Sequence, residues 1–325
     1  MKKLLFALLL LASTQAHAAI VTKEIPYKDG SVELTGYLAY DDAIKSAPGR
    51  SGPDTNSGAG TAPGILVIHE WWGHNDYARM RADMLAKLGY VAFALDMYGK
   101  GVTADNPDDA TKLSKPFYDD RKLMRSRALA GLEVLKAQPN VDTSNLGIIG
   151  YCFGGSTALE LARAGTDVKA IVSFHGGLAT TMPAKAGDVK AHVLTLNGSD
   201  DKFVSNNEKM DFLKEMTMAQ VNFRSIEYPG ATHAFTNPKA TEMGEKFKLP
   251  IAYNKEADEK SWAEMQSFYY QTFSESEAAD FLKKYNISYV VYGSEERKIR
   301  GSAPTYKFLS EVYNKDNMIL FKASP

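Results

Sequence analysis

The chain has 325 residues, 44% of them hydrophobic, with 38 Lys and Arg set against 39 Asp and Glu for a formal net charge of −1. That length accommodates one large α/β domain, or one such domain plus a small appendage. The charge is balanced and no long basic run occurs, which argues against nucleic acid or an anionic membrane surface as a partner.

The N-terminus reads Met1-Lys2-Lys3, then an apolar core from Leu4 to Ala12, then Ala16-His17-Ala18. This is the pattern of a secretory signal peptide over residues 1–18, cleaved before Ala19. The apolar run is too short to span a bilayer, and no later segment approaches the required length. No cysteine follows the core, so a lipid anchor is not indicated. The mature protein is expected to be soluble, exported and periplasmic. It contains a single cysteine, Cys152, so no internal disulfide can form.

After the signal, Ile20 to Tyr27 and Val32 to Tyr40 alternate loosely around Asp29-Gly30 and predict an antiparallel hairpin. Ala47 to Pro63 is rich in Gly, Ser and Pro and reads as a surface loop. Ile65 to Ile68 is a continuous apolar strand ending in His69-Glu70-Trp71-Trp72-Gly73. A helix follows, capped by Asn75 or Asp76 and stopped by Gly89. Tyr90 to Leu95 is a second continuous strand, and Asp119 to Ala137 has apolar residues at helical spacing.

From Leu146 a short apolar β-like run breaks at Gly150, and a helix-like run from Ser156 to Ala164 begins just after Cys152. Strands at Ala170 to Phe174 and Val193 to Leu196, a helix at Asn206 to Met218, a strand at Asn222 to Tyr228 and a helix at Glu256 to Phe273 complete the pattern. Continuous apolar strands alternating with helices predict an α/β fold with a mainly parallel sheet covered on both faces. From Ser274 the character changes. Helix Glu275 to Tyr285, strand Ile287 to Tyr292, helix Thr305 to Tyr313 and strand Met318 to Lys322 suggest an accessory αβαβ extension over 274–325, behind a main domain over 19–273.

The run Gly150-Tyr151-Cys152-Phe153-Gly154-Gly155 has the form of a nucleophile elbow with cysteine in the serine position. Small neighbours let such a strand-to-helix turn close, and the helix N-terminus favours a thiolate at the turn. A buried cysteine acting as a small hydrophobe is the plain alternative. A thiol nucleophile needs a base, and the base an orienting acid; in α/β-hydrolases these follow the nucleophile on loops after later strands. His233, in the Gly/Pro-containing loop after the last strand, occupies the base position. His175 reads as structural, near the floor of a pocket, and His192 opens a strand. The acid belongs to Asn197-Gly198-Ser199-Asp200-Asp201-Lys202-Phe203-Val204, with Asp201 favoured and Asp200 the alternative.

Cys152 in its glycine-rich turn, Asp201, His233, Glu70 in Glu70-Trp71-Trp72-Gly73 and the run Asp96-Met97-Tyr98-Gly99 together resemble the dienelactone hydrolase family over about Ile20 to Phe273. The resemblance implies an α/β-hydrolase fold and a glutamate, here Glu70, that contacts the resting thiol. It also implies an oxyanion hole built from the backbone amides of Trp71 and Phe153. In that family an arginine four residues after the histidine binds a substrate carboxylate, whereas this chain has Asn237. Arg79, Arg81, Arg121 and Arg125 remain as anion binders, each with surface solvation as the plainer reading. Trp71, Trp72, Tyr98, Tyr118 and Phe235 are candidates to line an apolar acyl pocket, although aromatic residues are more often simple core.

The expected activity is hydrolysis of a small ester or lactone through an acyl-cysteine, with no cofactor and no metal. The sparse, scattered His and Cys residues offer no ligand set. Two other readings stand beside it: a catalytically idle binding protein on a hydrolase scaffold, and a redox thiol protein, the latter weakened by the lack of a resolving cysteine.

Overall fold

The computed structural model describes residues 19–42, 44, 61–284, 289–292, 309–315 and 318–323. The predicted signal peptide, most of the Gly/Ser/Pro-rich loop and parts of the tail lie outside these residues. The hairpin forms as expected: β1 (Ile20–Asp29) pairs antiparallel with β2 (Val32–Asp41) along its whole length. The elements that follow are β3 (Ala62–Ile68), α1 (Asp76–Ala86), β4 (Val91–Leu95), α2 (Pro107–Asp119), α3 (Arg121–Lys136) and β5 (Val141–Tyr151). Then come α4 (Phe153–Arg163), β6 (Ala170–Phe174), β7 (His192–Gly198), α5 (Asn206–Met218), β8 (Phe223–Tyr228), α6 (Ala240–Phe247) and α7 (Lys255–Lys284).

Eight strands form one mixed sheet in the order β1-β2-β4-β3-β5-β6-β7-β8, parallel from β4 through β8 with the hairpin antiparallel at one edge. The strand alternation divides the core between two faces. Leu66, Ile68, Phe93, Ile148 and Ile171 pack with Leu132 of α3 and Leu159 of α4. Their neighbours Ile65, Val67, Ala94, Ile149 and Val172 pack with Leu85 of α1 and Met265 of α7. Each such buried aliphatic side chain stabilises by roughly 1.5–3 kcal/mol, which is why the central strands read as unbroken apolar runs rather than alternating ones.

The order of strands positions the site. From β3 the chain moves to β4 on one side, then returns to β5 on the other, so β3 and β5 flank the switch point at their carboxyl ends. Open parallel sheets bind ligands at this crevice. Glu70 follows β3 and Cys152 follows β5.

Two helices were not anticipated. In α2, Pro107 occupies the first turn and Pro116 the interior, and proline in a helix masks the pattern; Asn106 caps it by accepting from the Asp109 amide at 3.0 Å. The short α6 has no side-chain cap. The tail also departs from expectation. No Gly or Pro interrupts Lys255 to Lys284, so the two helices expected on either side of Ser274 are one. Of the helix expected over Thr305 to Tyr313, residues 305–308 lie outside the described residues and the remainder is strand β10 (Leu309–Lys315). That strand joins β9 (Tyr289–Tyr292) and β11 (Met318–Ala323) in an antiparallel sheet ordered β10-β11-β9, so the extension is not an αβαβ unit. A register shift between Glu311 and Tyr313 explains the error, because an extra residue breaks the period-two alternation that marks a strand. Among the described residues no helix is long and apolar enough to cross a membrane.

Candidate active site

The elbow after β5 is as tight as its glycines suggest. Cys152 has φ 54° and ψ −115°, a left-handed conformation unusual for a side-chain-bearing residue. A Cβ at Gly150 would stand 2.0 Å from the Gly154 carbonyl oxygen, and one at Gly154 would stand 2.2 Å from the Ile68 oxygen. Only glycine lets α4 pack this closely against the ends of β5 and β3. Cys152 is half-buried, caps α4, and opens into a cavity of about 530 Å³. At that helix end the first backbone amides have no intrahelical acceptor.

His233 and Asp201 meet beside it. Asp201 is 5% exposed, and its Oδ2 accepts from His233 Nδ1 at 2.8 Å while its Oδ1 accepts from the Phe203 amide at 2.8 Å. With Nδ1 committed to the carboxylate, Nε2 is left for the sulfur. Asp200 is exposed and accepts from Ser199 Oγ at 2.9 Å, so Asp201 is the carboxylate of the two that is paired with His233. Burial disfavours a charged imidazole, but Cys152 and Asp201 together outweigh it and hold the His233 pKa well above its ordinary value. Phe203 packs its ring 4.9 Å from His233.

Glu70 is 2% exposed and shares the cavity wall with Cys152 and His233. Its Oε2 accepts from Asn237 Nδ2 at 2.7 Å, and its Oε1 has no hydrogen-bond partner among the described residues. Burial pushes its carboxyl up to about 7, against opposing pulls from Asn237, His233 and Arg81. Asn237, at the position where the family resemblance implies an arginine, is thus occupied with the glutamate. Trp71 lines the same cavity, and Phe153 is the first residue of α4, so its amide has no intrahelical acceptor.

Of the expected pocket aromatics, Trp72 and Tyr118 line the cavity and Tyr98 and Phe235 do not. Tyr98 lies behind the wall, with its hydroxyl donating to the Trp71 carbonyl at 3.0 Å and its ring 5.6 Å from Phe153. Phe235 is fully buried in the core, packed edge-on to His175. The arginines also separate. Arg121 lines the cavity, while Arg79 pairs with Glu24 at 2.6 Å. Arg81 and Arg125 are not solvated surface groups: Arg81 is 1% exposed and pairs with Asp258 at 2.6 Å, and Arg125 pairs with buried Glu160 at 2.7 Å.

A network that sequence reasoning missed lies under the His233 loop. Thr236 Oγ1 is 2.6 Å from the Tyr77 hydroxyl and 2.7 Å from His175 Nε2. Arg81 donates to the Thr236 carbonyl at 2.6 Å and to the Tyr77 hydroxyl at 3.2 Å. His175 is fully buried with φ 39°, its pKa driven well below normal by burial, so it is a neutral structural support. No spacing in the chain links Tyr77, Arg81 and Thr236. Only the meeting of α1 with the loop after β8 does so.

A mixed, mainly parallel sheet with a strained elbow after its central strand and a buried Asp–His pair after the last two strands defines an α/β-hydrolase. Within that class, the model of the dienelactone hydrolase family matches residues 52–273, and the chain belongs to this family. It is 32% identical over 224 residues to an Aquifex aeolicus protein assigned as a carboxymethylenebutenolidase, covering 67% of this chain and 89% of that one. It is 33% identical over 198 residues to protein usf of Aquifex pyrophilus, covering 59% and 84%. A crystal structure of a dienelactone hydrolase-like promiscuous phosphotriesterase from metagenomic libraries matches with a TM-score of 0.67 at 35% identity, covering 78% of this chain and 99% of that one.

Proposed function

We propose that this protein is an exported, cysteine-dependent hydrolase that cleaves a small ester or lactone through an acyl-cysteine intermediate. The observation that carries the reading is the 2.8 Å Asp201–His233 pair set beside a half-buried cysteine on a strained elbow. His233 Nε2 takes the thiol proton as sulfur attacks the carbonyl carbon. The amides of Trp71 and Phe153 receive the oxyanion, and the tetrahedral adduct collapses as His233 returns the proton to the leaving alkoxide. Water, deprotonated by His233, then attacks the thioester and releases the acid and the free thiol. Asp201 holds the imidazole tautomer and stabilises the imidazolium.

Glu70 acts as a gate. Glu70 shares the cavity wall with Cys152 and covers the resting thiol until substrate displaces its side chain. Export rests on the N-terminal pattern over residues 1–18, and the tail over 274–325 is proposed to be accessory to the chemistry. Occupation of Asn237 by Glu70 argues against a carboxylated dienelactone as the substrate.

The test is a mixed panel of esters and lactones incubated with the protein and followed by intact mass. A phosphotriester belongs in the panel because the metagenomic relative is described as hydrolysing that class. An acyl adduct on Cys152 is expected, with turnover falling on the order of 10³-fold or more in Cys152→Ala. Near-normal turnover in that variant sinks the mechanism, and no turnover by the wild-type protein leaves a binding protein on a hydrolase scaffold.

A further inference from the structure

Two residues on the wall of the active-site cavity, Ser156 and Arg121, each carry a buried polar atom with no hydrogen-bond partner among the described residues. Ser156 lies four residues after Cys152 on α4, hence on the same helix face about 6 Å further along. It is 2% exposed and lines the cavity, yet its Oγ has no hydrogen-bond partner among the described residues. Serine inside a helix ordinarily bonds back to a preceding carbonyl, as Thr157 does to the Phe153 oxygen at 2.9 Å. Ser156 does not. The wall opposite is Gly177, where even a Cβ would come within 3.2 Å of the Ser156 oxygen.

The second is Arg121, whose Nε is buried without a partner among the described residues although its Nη2 donates to the Ala179 carbonyl at 3.4 Å. Its guanidinium lies 5.0 Å from the centre of the Tyr118 ring. The Tyr118 hydroxyl is close enough to Ser156 to interact with it, but without the geometry of a closed hydrogen bond. Ser156, Tyr118 and Arg121 therefore share one corner of the cavity. Buried polar groups are normally satisfied, and donors gathered in a substrate cavity are satisfied by what the cavity holds.

Charges of both signs line this corner. Glu208 lines the cavity beside Arg121, and the two act on the Tyr118 hydroxyl with opposite sign. Lys115, also on the wall, is paired with Asp119 at 2.6 Å. A further anion would meet Glu208, whereas an uncharged oxygen meets only the spare N–H and O–H donors.

We propose that Ser156 and Arg121 form a specificity subsite for an uncharged, hydrogen-bond-accepting oxygen on the acyl part of the substrate. The preferred substrates are esters or lactones whose acyl chain carries a hydroxyl, ether or keto oxygen within about one helical turn of the scissile carbonyl. The inference rests on the ester-hydrolase reading above and goes beyond it by naming the substrate class.

The experiment compares kcat/KM for p-nitrophenyl β-methoxypropanoate with its carbon isostere p-nitrophenyl pentanoate, each normalised to its alkaline hydrolysis. Mono-p-nitrophenyl adipate serves as the anionic member. The wild-type protein is expected to prefer the ether ester by about tenfold, the scale of one or two neutral hydrogen bonds. Ser156→Ala and Arg121→Gln should each lower that ratio by about threefold or more, with unfolding midpoints measured to show that both variants are folded. A wild-type ratio near one overturns the subsite, and so does a ratio unmoved in both folded variants. Preference for the adipate overturns the assignment to an uncharged oxygen. Turnover of the pentanoate ester that is lost in Cys152→Ala upholds the hydrolase reading whatever the ratio does, so the two failures are distinguishable.

Discussion

Replacing Thr236 with valine tests whether the loop carrying His233 is held from beneath by hydrogen bonds or only by packing. Valine matches threonine in shape, and the position is fully buried, so the change deletes an oxygen without opening a cavity. It leaves two buried groups without their partner: the Tyr77 hydroxyl, 2.6 Å away, and His175 Nε2, 2.7 Å away. Each such orphan costs about 1–3 kcal/mol. The Tyr77 oxygen keeps the 3.2 Å donor from Arg81, but its own hydrogen loses its acceptor. The sum is about 2–6 kcal/mol, a large part of the 5–15 kcal/mol typical of a folded domain. Urea denaturation at unchanged slope measures it as a lower midpoint. Thr236→Ser is the control, since it keeps the oxygen and loses one methyl, about 0.8 kcal/mol. A valine variant at least as stable as the serine variant would refute the reasoning and leave packing as the sole support of the loop.

Asp201→Asn and His233→Ala should each reduce kcat/KM by about 10²–10⁴, with the double variant little worse than the single ones because the groups act as a unit; Asp200→Asn, at an exposed side chain, should stay within about threefold in the same ester assay. The Glu70 carboxyl is held at about 7 when folded and titrates near 4.3 when unfolded. The folded chain therefore keeps a proton that the unfolded chain releases, and stability falls as pH rises through that interval. Glu70→Gln removes this effect, so unfolding experiments should find it more stable than wild type by up to about 3 kcal/mol at about pH 8 and no more stable below about pH 4. The same variant should lose ester turnover and change the pH dependence of iodoacetamide labelling, and identical curves and turnover would remove the gate. Gly154→Ala would drive a methyl into the backbone oxygens of Ile68 and His69, at 2.2 and 2.6 Å, and should cost about 1–3 kcal/mol or more together with activity. Gly177→Ala, whose nearest contact is the Ser156 oxygen at 3.2 Å, should fold nearly as well as wild type in the same melts.

The parts of the chain legible from sequence were those in which one local pattern dominates. Strand β6 at Ala170–Phe174 and helix α5 at Asn206–Met218 fall where expected, because a continuous apolar run and a helix opening on a Ser205 cap are strong local signals. The elbow was legible because its glycines record a steric requirement at Gly150 and Gly154. The contacts that tune the site were not. Asn237 stands 167 positions from the glutamate it holds, and Tyr77 stands 159 from Thr236. Phe235 and Tyr98 look like pocket aromatics in sequence, but whether a ring lines a cavity or supports its wall depends on packing across several elements. Ser156 was within reach, since its four-residue spacing from Cys152 on a helix puts both on one face.

The direction of β2 has a practical consequence. It runs antiparallel to β4, with Tyr37 opposite Ala94 and Ala39 opposite Ala92, so the chain leaves β2 at the amino-terminal rim of the parallel strands. It re-enters at Ala62, the first residue of β3, on that same rim. Glu70, Cys152, Asp201 and His233 all follow carboxyl-terminal strand ends, across the length of the seven-residue β3, about 20 Å away. The described chain therefore leaves the sheet at Asp42 and returns to it at Ala62 on the rim remote from the chemistry. A purification handle or a fluorescent domain joined beside Asp42 would start on that rim, so this edge of the sheet is the natural attachment point for immobilising the enzyme on a support with its active face turned outward.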